Sequence, residues 1–587
     1  MLYIFSFFIL LLSQFCLINT KVVTFNRCYE GTKSKKFRDV TAYLGVPYAQ
    51  PPVGRLRFLP PEALPKNVTL DTNNCFKATT PAKVCFFHRS HKVFSGLEDW
   101  ELGIADMSED CLQMDMWVPK RPKGPVIVHI FGISYRISSA PLSFFDGSAL
   151  ASKTGSIVIN VHYRTGVLGF AFMSNVRSLV PGNMGLLDQQ MALKWIHRNI
   201  KYFGGNKDMI TLFGYGTGAS LATAHLFSDD SKPYFSRIFI ASGTILNSWS
   251  YTHRKNVESN FIKLIKKMGC FKTMYDDDQM VKCMKGAKAI RLVTEAEKIY
   301  NLKQSVFESP FMPIDNDKYF FKRHIENMLD FANYKTNASI VLGVSEHEGS
   351  YLMTQYFTGH KYGCGLDYKK GIESNESQCN INEYQHDYIV DLIARDQNLG
   401  KGARVMMKLQ YKNAGKNLRD ETLNLISDIY FNCKYFEFAR KFYKYSANPI
   451  YFYKLRKRIS INPWPQWMGP VQNYEMLYLF GHPYLKPSYY KKKYLSKEKK
   501  FSLQVMKTLA TFAKKGKLYN SWKNYKPLEM NYADISRALK RREKFKIKQF
   551  DKKNCMNIQL LLNKFTSTEN KRQYDDYVQN RPKYHHK

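Results

Sequence analysis

The sequence predicts an α/β fold with a large, mostly parallel central sheet flanked by helices. Three observations carry that reading. Short β-branched and aromatic runs recur along the chain, and they alternate with segments whose apolar residues fall at three- and four-residue spacings. A composition of 44% hydrophobic and 15% aromatic residues gives 587 residues ample material for a core.

The elements follow in chain order. Residues 1–20 (MLYIFSFFILLLSQFCLINT) form an uncharged apolar run ending in small and polar residues, and they read as a secretory signal peptide. A membrane anchor is the alternative, although the apolar core is shorter than the ~20 residues a spanning helix needs. No later stretch approaches that length, so no transmembrane segment is expected. The strand candidates are GPVIVHIFGI (124–133), SIVINVHYR (156–164), MITLFGYG (209–216), SRIFIASG (236–243), ASIVLGVS (338–345) and PIYFYKL (449–455). They are rich in β-branched and aromatic residues and end near Gly or Ser, as buried strands of a mostly parallel sheet do. LLDQQMALKWIHRNIKYF (186–203) has helical periodicity. FSLQVMKTLATFAKKGK (501–517) is an amphipathic helix with Phe501, Val505, Leu509, Phe512 and Ala513 on one face. Core packing is the reading of that face, and a homodimer contact through the late helices is the alternative. With no repeat and no Pro/Ser-rich linker, one domain over 21–565 is expected, followed by a polar, disordered tail at 566–587.

Eleven cysteines include Cys16 in the leader; the remaining ten suit five disulfides in an oxidising compartment. Sequons at Asn67, Asn337 and Asn375 point the same way. The net charge of +39 is concentrated in KLRKR (454–458), KKKYLSKEKK (491–500), KKGK (514–517) and LKRREKFKIK (539–548). These runs are either solvated faces or a surface for polyanions such as sulfated glycans; nucleic acid is not expected for an exported chain. No cofactor and no metal are expected.

Residues 210–220, ITLFGYGTGAS, have the strand, G-x-x-x-G, helix layout of a nucleophile elbow. Several blocks around it resemble the carboxylesterase type B and cholinesterase (acetylcholinesterase-like) family. They are AYLGVPYAQPPVGRLRF (42–58), MSEDCLQMDMWVP (107–119), GNMGLLDQQMALKWIHRNIKYFGGNKDMITLFG (182–214), SEHEGSYLM (345–353) and WPQWMGPVQNYEMLYLFG (464–481). The blocks run in the family's order over nearly the whole mature chain. The resemblance implies an α/β-hydrolase fold with a deep gorge, a Ser-Glu-His triad and a glycine-rich oxyanion hole.

The matching positions depart from that chemistry. Gly214 and Gly218 flank an apex that is Gly216, so no nucleophile stands there. Thr217 is the rescue candidate, one residue into the helix with its hydroxyl expected to point away from the apex. The resemblance puts the catalytic histidine at Gln472, whose amide cannot relay a proton. The acid position is kept as Glu348, expected to accept structural hydrogen bonds, one of them from Gln472. Of the oxyanion glycines only Gly132 remains, followed by Ile133 and Ser134, and β-branched Ile133 is expected to resist the backbone angles a glycine would adopt.

Trp100 lies where the resemblance places the tryptophan that holds a quaternary ammonium, with a core or rim residue as the alternative. The net charge, and the basic CFFHRSHKVF (85–94) where relatives carry acids, oppose steering of a cation. By the resemblance Cys85 pairs with Cys111, Cys270 with Cys283 and Cys433 with Cys555. That leaves Cys28 with Cys75 and Cys364 with Cys379, a pairing the sequence alone does not establish. The chain resembles the family's non-catalytic neuroligins, glutactin and neurotactin in lacking the serine. The resulting expectation is a secreted, non-catalytic binding or adhesion module for an extracellular protein or acidic glycan. The alternatives are an active carboxylic ester hydrolase with an atypical nucleophile and a protein sequestering a small ligand.

Overall fold

Each of the six strand candidates is a strand in the computed structural model, which describes residues 20–566 apart from 25–26, 66–73, 89–106, 139–141, 273–275, 300–306, 308, 400, 520–521 and 541–542. Trp100, Asn67, most of the leader, CFFHRSHKVF from Arg89 onward and the tail from 567 lie outside the described residues. The main sheet has eleven strands: β1 Thr32–Lys33, β2 Val40–Pro47, β3 Gln113–Pro119, β4 Val126–Ile130, β5 Ile157–Val161, β6 Ile210–Tyr215, β7 Arg237–Ala241, β8 Ser339–Ser345, β9 Ile450–Leu455, β10 Asn531–Ile535 and β11 Lys546–Gln549. Their order across the sheet is β11-β10-β9-β8-β7-β6-β4-β5-β3-β2-β1. From β5 through β10 every neighbouring pair is parallel, and antiparallel strands close both edges.

Burial on both faces explains the apolar runs. All six residues of β6 are buried, with Ile210 and Leu212 in one apolar layer and Phe213 and Tyr215 in the other. Helix α1 (Met184–Asn199) turns Leu186, Leu193 and Ile196 onto the first layer. After a short 3-10 turn, Gly204 at φ 80° ends this segment. Helix α2 (Thr217–Ala224) leaves β6 directly, and α3 (Cys433–Tyr445) lies beyond β8 in sequence. Helix α4 (Lys492–Lys515) packs Phe501, Leu509, Phe512 and Ala513 into the second layer with Val505 against it, so its apolar face serves the core. Gly516 at φ 65° terminates it, donating its N–H to Phe512.

Disulfides join Cys28–Cys75, Cys85–Cys111, Cys270–Cys283, Cys364–Cys379 and Cys433–Cys555. No helix among the described residues is long and apolar enough to cross a membrane. One of the four basic runs is largely paired within the fold, although Arg456 stays exposed. In 454–458, Arg456 pairs with Glu346 and Asp534, Lys457 with buried Glu498, and Arg458 donates to the carbonyls of Pro465 and Gly469. The sequence reads these charges as solvated or free for a partner; the fold turns them onto internal acceptors. Asn337 and Asn375 are both exposed.

Candidate functional site

A tight backbone corner lies where β6 meets α2. Parallel pairing sets Ile130 of β4 opposite Gly214, and Ala241 of β7 opposite Tyr215. The chain then reverses at Gly216, with φ 52° and ψ −126°, and α2 begins at Thr217. The flanking glycines are required for space. A Cβ on Gly214 would stand 2.6 Å from the Gly218 carbonyl oxygen, and one on Gly218 only 2.2 Å from that of Ile130. The apex is different. A Cβ on Gly216 would meet nothing closer than Asn473 Oδ1 at 3.7 Å and the Gln472 amide nitrogen at 3.9 Å. The corner therefore keeps room for a side chain and carries none. Glycine also holds this conformation without the ~1–3 kcal/mol that a non-glycine residue stores at such a corner.

Gln472 faces the apex from the opposite loop. Its Nε2 donates to the backbone carbonyl of Ser242 at 3.3 Å. The bond to Glu348 that the sequence suggests is not formed, because Ser242 stands between them. Glu348 is fully buried, and its Oε1 accepts from Ser242 Oγ at 2.8 Å and from the Ser345 N–H at 2.6 Å. Among the described residues its Oε2 has no partner. Burial, then the neighbouring Glu475, push the Glu348 carboxyl up to about 8, so it is predominantly neutral at pH 7. Acid, amide and apex thus form a row, Glu348–Ser242–Gln472–Gly216, in which an amide and not a basic group faces the apex.

The loop after β4 forms the far wall. Gly132 is retained for packing, since a Cβ there would lie 2.8 Å from Thr217 Oγ1 and 3.0 Å from the Gly218 nitrogen. The left-handed backbone of this loop falls on Ser134 (φ 49°) and Tyr135 (φ 57°). Ile133 is spared that conformation, and its N–H is engaged, donating to the Ile137 carbonyl at 3.0 Å. An amide committed inside its own loop is not free to meet a developing oxyanion. Thr217 Oγ1 lies against Gly132, buried and without a hydrogen-bond partner among the described residues.

Between these walls is a narrow cleft of about 60 Å3, bounded by Gly132, Ile133, Ser134, Gly216, Thr217, Gln472 and Asn473 and by the rings of Trp249, Phe307, Tyr351, Tyr356 and Phe431. That volume suits a few waters; pockets for drug-sized ligands run ~300–1,000 Å3. Among the described residues no histidine lines it. His347, beside Glu348, packs over Gly469 and its Nδ1–H donates to the Met468 carbonyl at 3.3 Å.

Three participants escaped the sequence reading. Ser242, at φ 60°, bridges Glu348 and Gln472. Asn473, at φ 74°, brings its side chain closest to the apex. Glu475 is a second buried carboxyl, which burial pushes up to about 7. Only Glu475 left a signal, as the one acid in an otherwise apolar stretch, EMLYLF. The other two reach the site through loop geometry.

The chain matches the family described as "Carboxylesterase family" over residues 22–558. It is 34% identical over 488 residues to the cholinesterase of Mus musculus, covering 81% of this chain and 75% of the relative. It is 30% identical over 552 residues to acetylcholinesterase 4 of Caenorhabditis briggsae, covering 87% and 85%. With the acetylcholinesterase of Danio rerio it shares 30% over 513 residues, covering 81% and 76%.

Proposed function

Since this chain belongs to the carboxylesterase family, and its elbow presents a glycine to an amide, we propose that it is a catalytically silent member acting as a secreted binding or adhesion module. The observation that carries the proposal is the apex itself: a corner with space for a nucleophile, occupied by Gly216 and faced by Gln472 rather than by a base. The five disulfides support an oxidising, extracellular setting, and exposed Asn337 and Asn375 are open to glycosylation. Retention of the fold and its covalent staples without the chemistry suggests that the surface is what functions. The partner is an extracellular protein or an acidic glycan, and the net charge of +39 favours the glycan.

An ester hydrolase with Thr217 as nucleophile has one observation in its favour, the unpartnered hydroxyl lining the cleft. Among the described residues no base lines the cleft to activate that hydroxyl. Sequestration of a small ligand has about 60 Å3 at the elbow to work with.

The purified protein is expected to bind immobilised heparin and to elute only with added salt, because counterion release makes such binding fall steeply with ionic strength. Elution at low salt, no later than a neutral protein of similar size, would remove the glycan as partner.

A further inference from the structure

We propose that the outward face of α4 is the docking surface for a linear sulfated glycan, a proposal that rests on the binding-module reading above. Lys493, Lys497, Lys500, Lys507 and Lys514 follow one another at helical spacings of four, three, seven and seven residues, opposite the face that packs into the core, and all five are exposed. At 1.5 Å per residue the row runs about 32 Å.

The row carries no compensating charge. The helix has one acid, Glu498, and it is turned inward, buried against Lys457 and the Tyr478 hydroxyl. Among the described residues none of the five lysines has an ion-pair partner. A helix face whose only task is solubility ordinarily mixes signs at i,i+4, and like charges at that spacing are destabilising. Here the like-charged pair Lys493–Lys497 is followed by Lys500 one turn on.

A second basic run joins the row. Gln504 lies on the same face midway, and its Oε1 accepts the Leu539 N–H at 2.7 Å. That bond brings Leu539 to the helix, and Lys540 and Lys544, which follow it in the chain, are exposed. Lys515 and Lys517 extend the C-terminal end. Residues from three of the four basic runs therefore meet on one elongated surface, while the charges of the fourth are paired within the fold. An elongated row of unpaired cations complements a linear polyanion. The disulfides fit the oxidising, extracellular setting proposed above, where sulfated glycans are the matching class of linear polyanion.

The test compares two triple variants of the full secreted chain for heparin affinity in one moderate-salt buffer, with thermal unfolding confirming the fold of each. One is Lys493→Glu, Lys497→Glu, Lys500→Glu. The other, Lys255→Glu, Lys412→Glu, Lys416→Glu, makes the same charge change at exposed lysines on other elements. The α4 triple is expected to lose affinity at least about tenfold and the control less than about twofold, with desulfated heparin binding wild type no better than the α4 triple binds heparin. Equal losses in both triples would overturn this surface and leave glycan binding standing. Phosphatidylserine vesicles bound as tightly as heparin, with the same lysine dependence, would overturn the glycan as its ligand. A wild type that is not retained at all would remove the glycan reading and this surface together.

Discussion

Against a thiocholine ester and a simple aryl ester, the wild-type protein is expected to turn over no faster than buffer. Loss of the nucleophile or base of a triad costs on the order of a million-fold, and loss of an oxyanion donor about a hundred- to thousand-fold. The terms do not add, but either alone removes useful turnover. Restoring Gly216→Ser, Gln472→His, Ile133→Gly and Ser134→Gly together is expected to raise activity at least about a hundredfold above wild type. The geometry allows it, since a Cβ added at Gly216 has no neighbour closer than 3.7 Å and position 472 already faces it. The glycines at 133 and 134 would let the loop reach other backbone angles, in which the N–H of position 133 need not bond to Ile137. An imidazolium near Glu348 would also favour its ionised form and so recover the acid's orienting role. Turnover by wild type well above buffer that disappears in Thr217→Ala would show that this account of the corner is wrong.

The second large effect concerns stability. Glu348 is held up to about 8 in the folded protein against an ordinary value of 4.5, so the folded state binds its proton more tightly than the unfolded chain. Its contribution is complete below about pH 4.5 and is lost as pH rises through 8. Between pH 7 and 9 this group alone should lower stability by about 1–2 kcal/mol. The window is chosen because the buried histidines titrate below it: His129 and His225 are held down to about 3 and His482 to about 4. Glu348→Gln preserves an oxygen to accept from Ser242 and Ser345 and cannot ionise. Chemical denaturation of the variant is expected to show a flatter profile from pH 7 to 9 and higher stability than wild type at pH 9. The residual slope should come from Glu475, held up to about 7. Parallel profiles for the two proteins would mean that Glu348 is ionised in the fold.

The central strands were legible because burial on both faces leaves an unbroken apolar run, as in β6 and β8. The sheet edges were not. β10 reads NYADI, with an acid near its end, and β11 is KIKQ, hidden in a run of charge. In the fold β11 alternates: Ile547 packs on the second apolar layer and Lys548 pairs with Asp534. Charged edge strands of this kind deter pairing with another chain and look like solvated loops. The elbow was legible for a related reason. Gly214 and Gly218 are dictated by contacts under 3 Å, so the motif has no room to slip and Gly216 is fixed between them. That Ser134 and Tyr135 take the left-handed backbone and that the Ile133 N–H bonds to Ile137 were not legible, because neither leaves a mark in residue type. Nor was the fate of KLRKR, whose acceptors come from β10, α4 and the loop after β9.

The most direct test of catalytic silence is covalent. Intact-mass analysis after incubation with a fluorophosphonate, beside an active cholinesterase treated identically, reads the presence of an activated nucleophile without requiring turnover. The account predicts full modification of the active enzyme and an unshifted mass for this protein, with an adduct on the introduced serine of the restored Gly216→Ser, Gln472→His, Ile133→Gly, Ser134→Gly variant. A stoichiometric adduct on the wild type, at Thr217 or at any serine of the cleft, would contradict it.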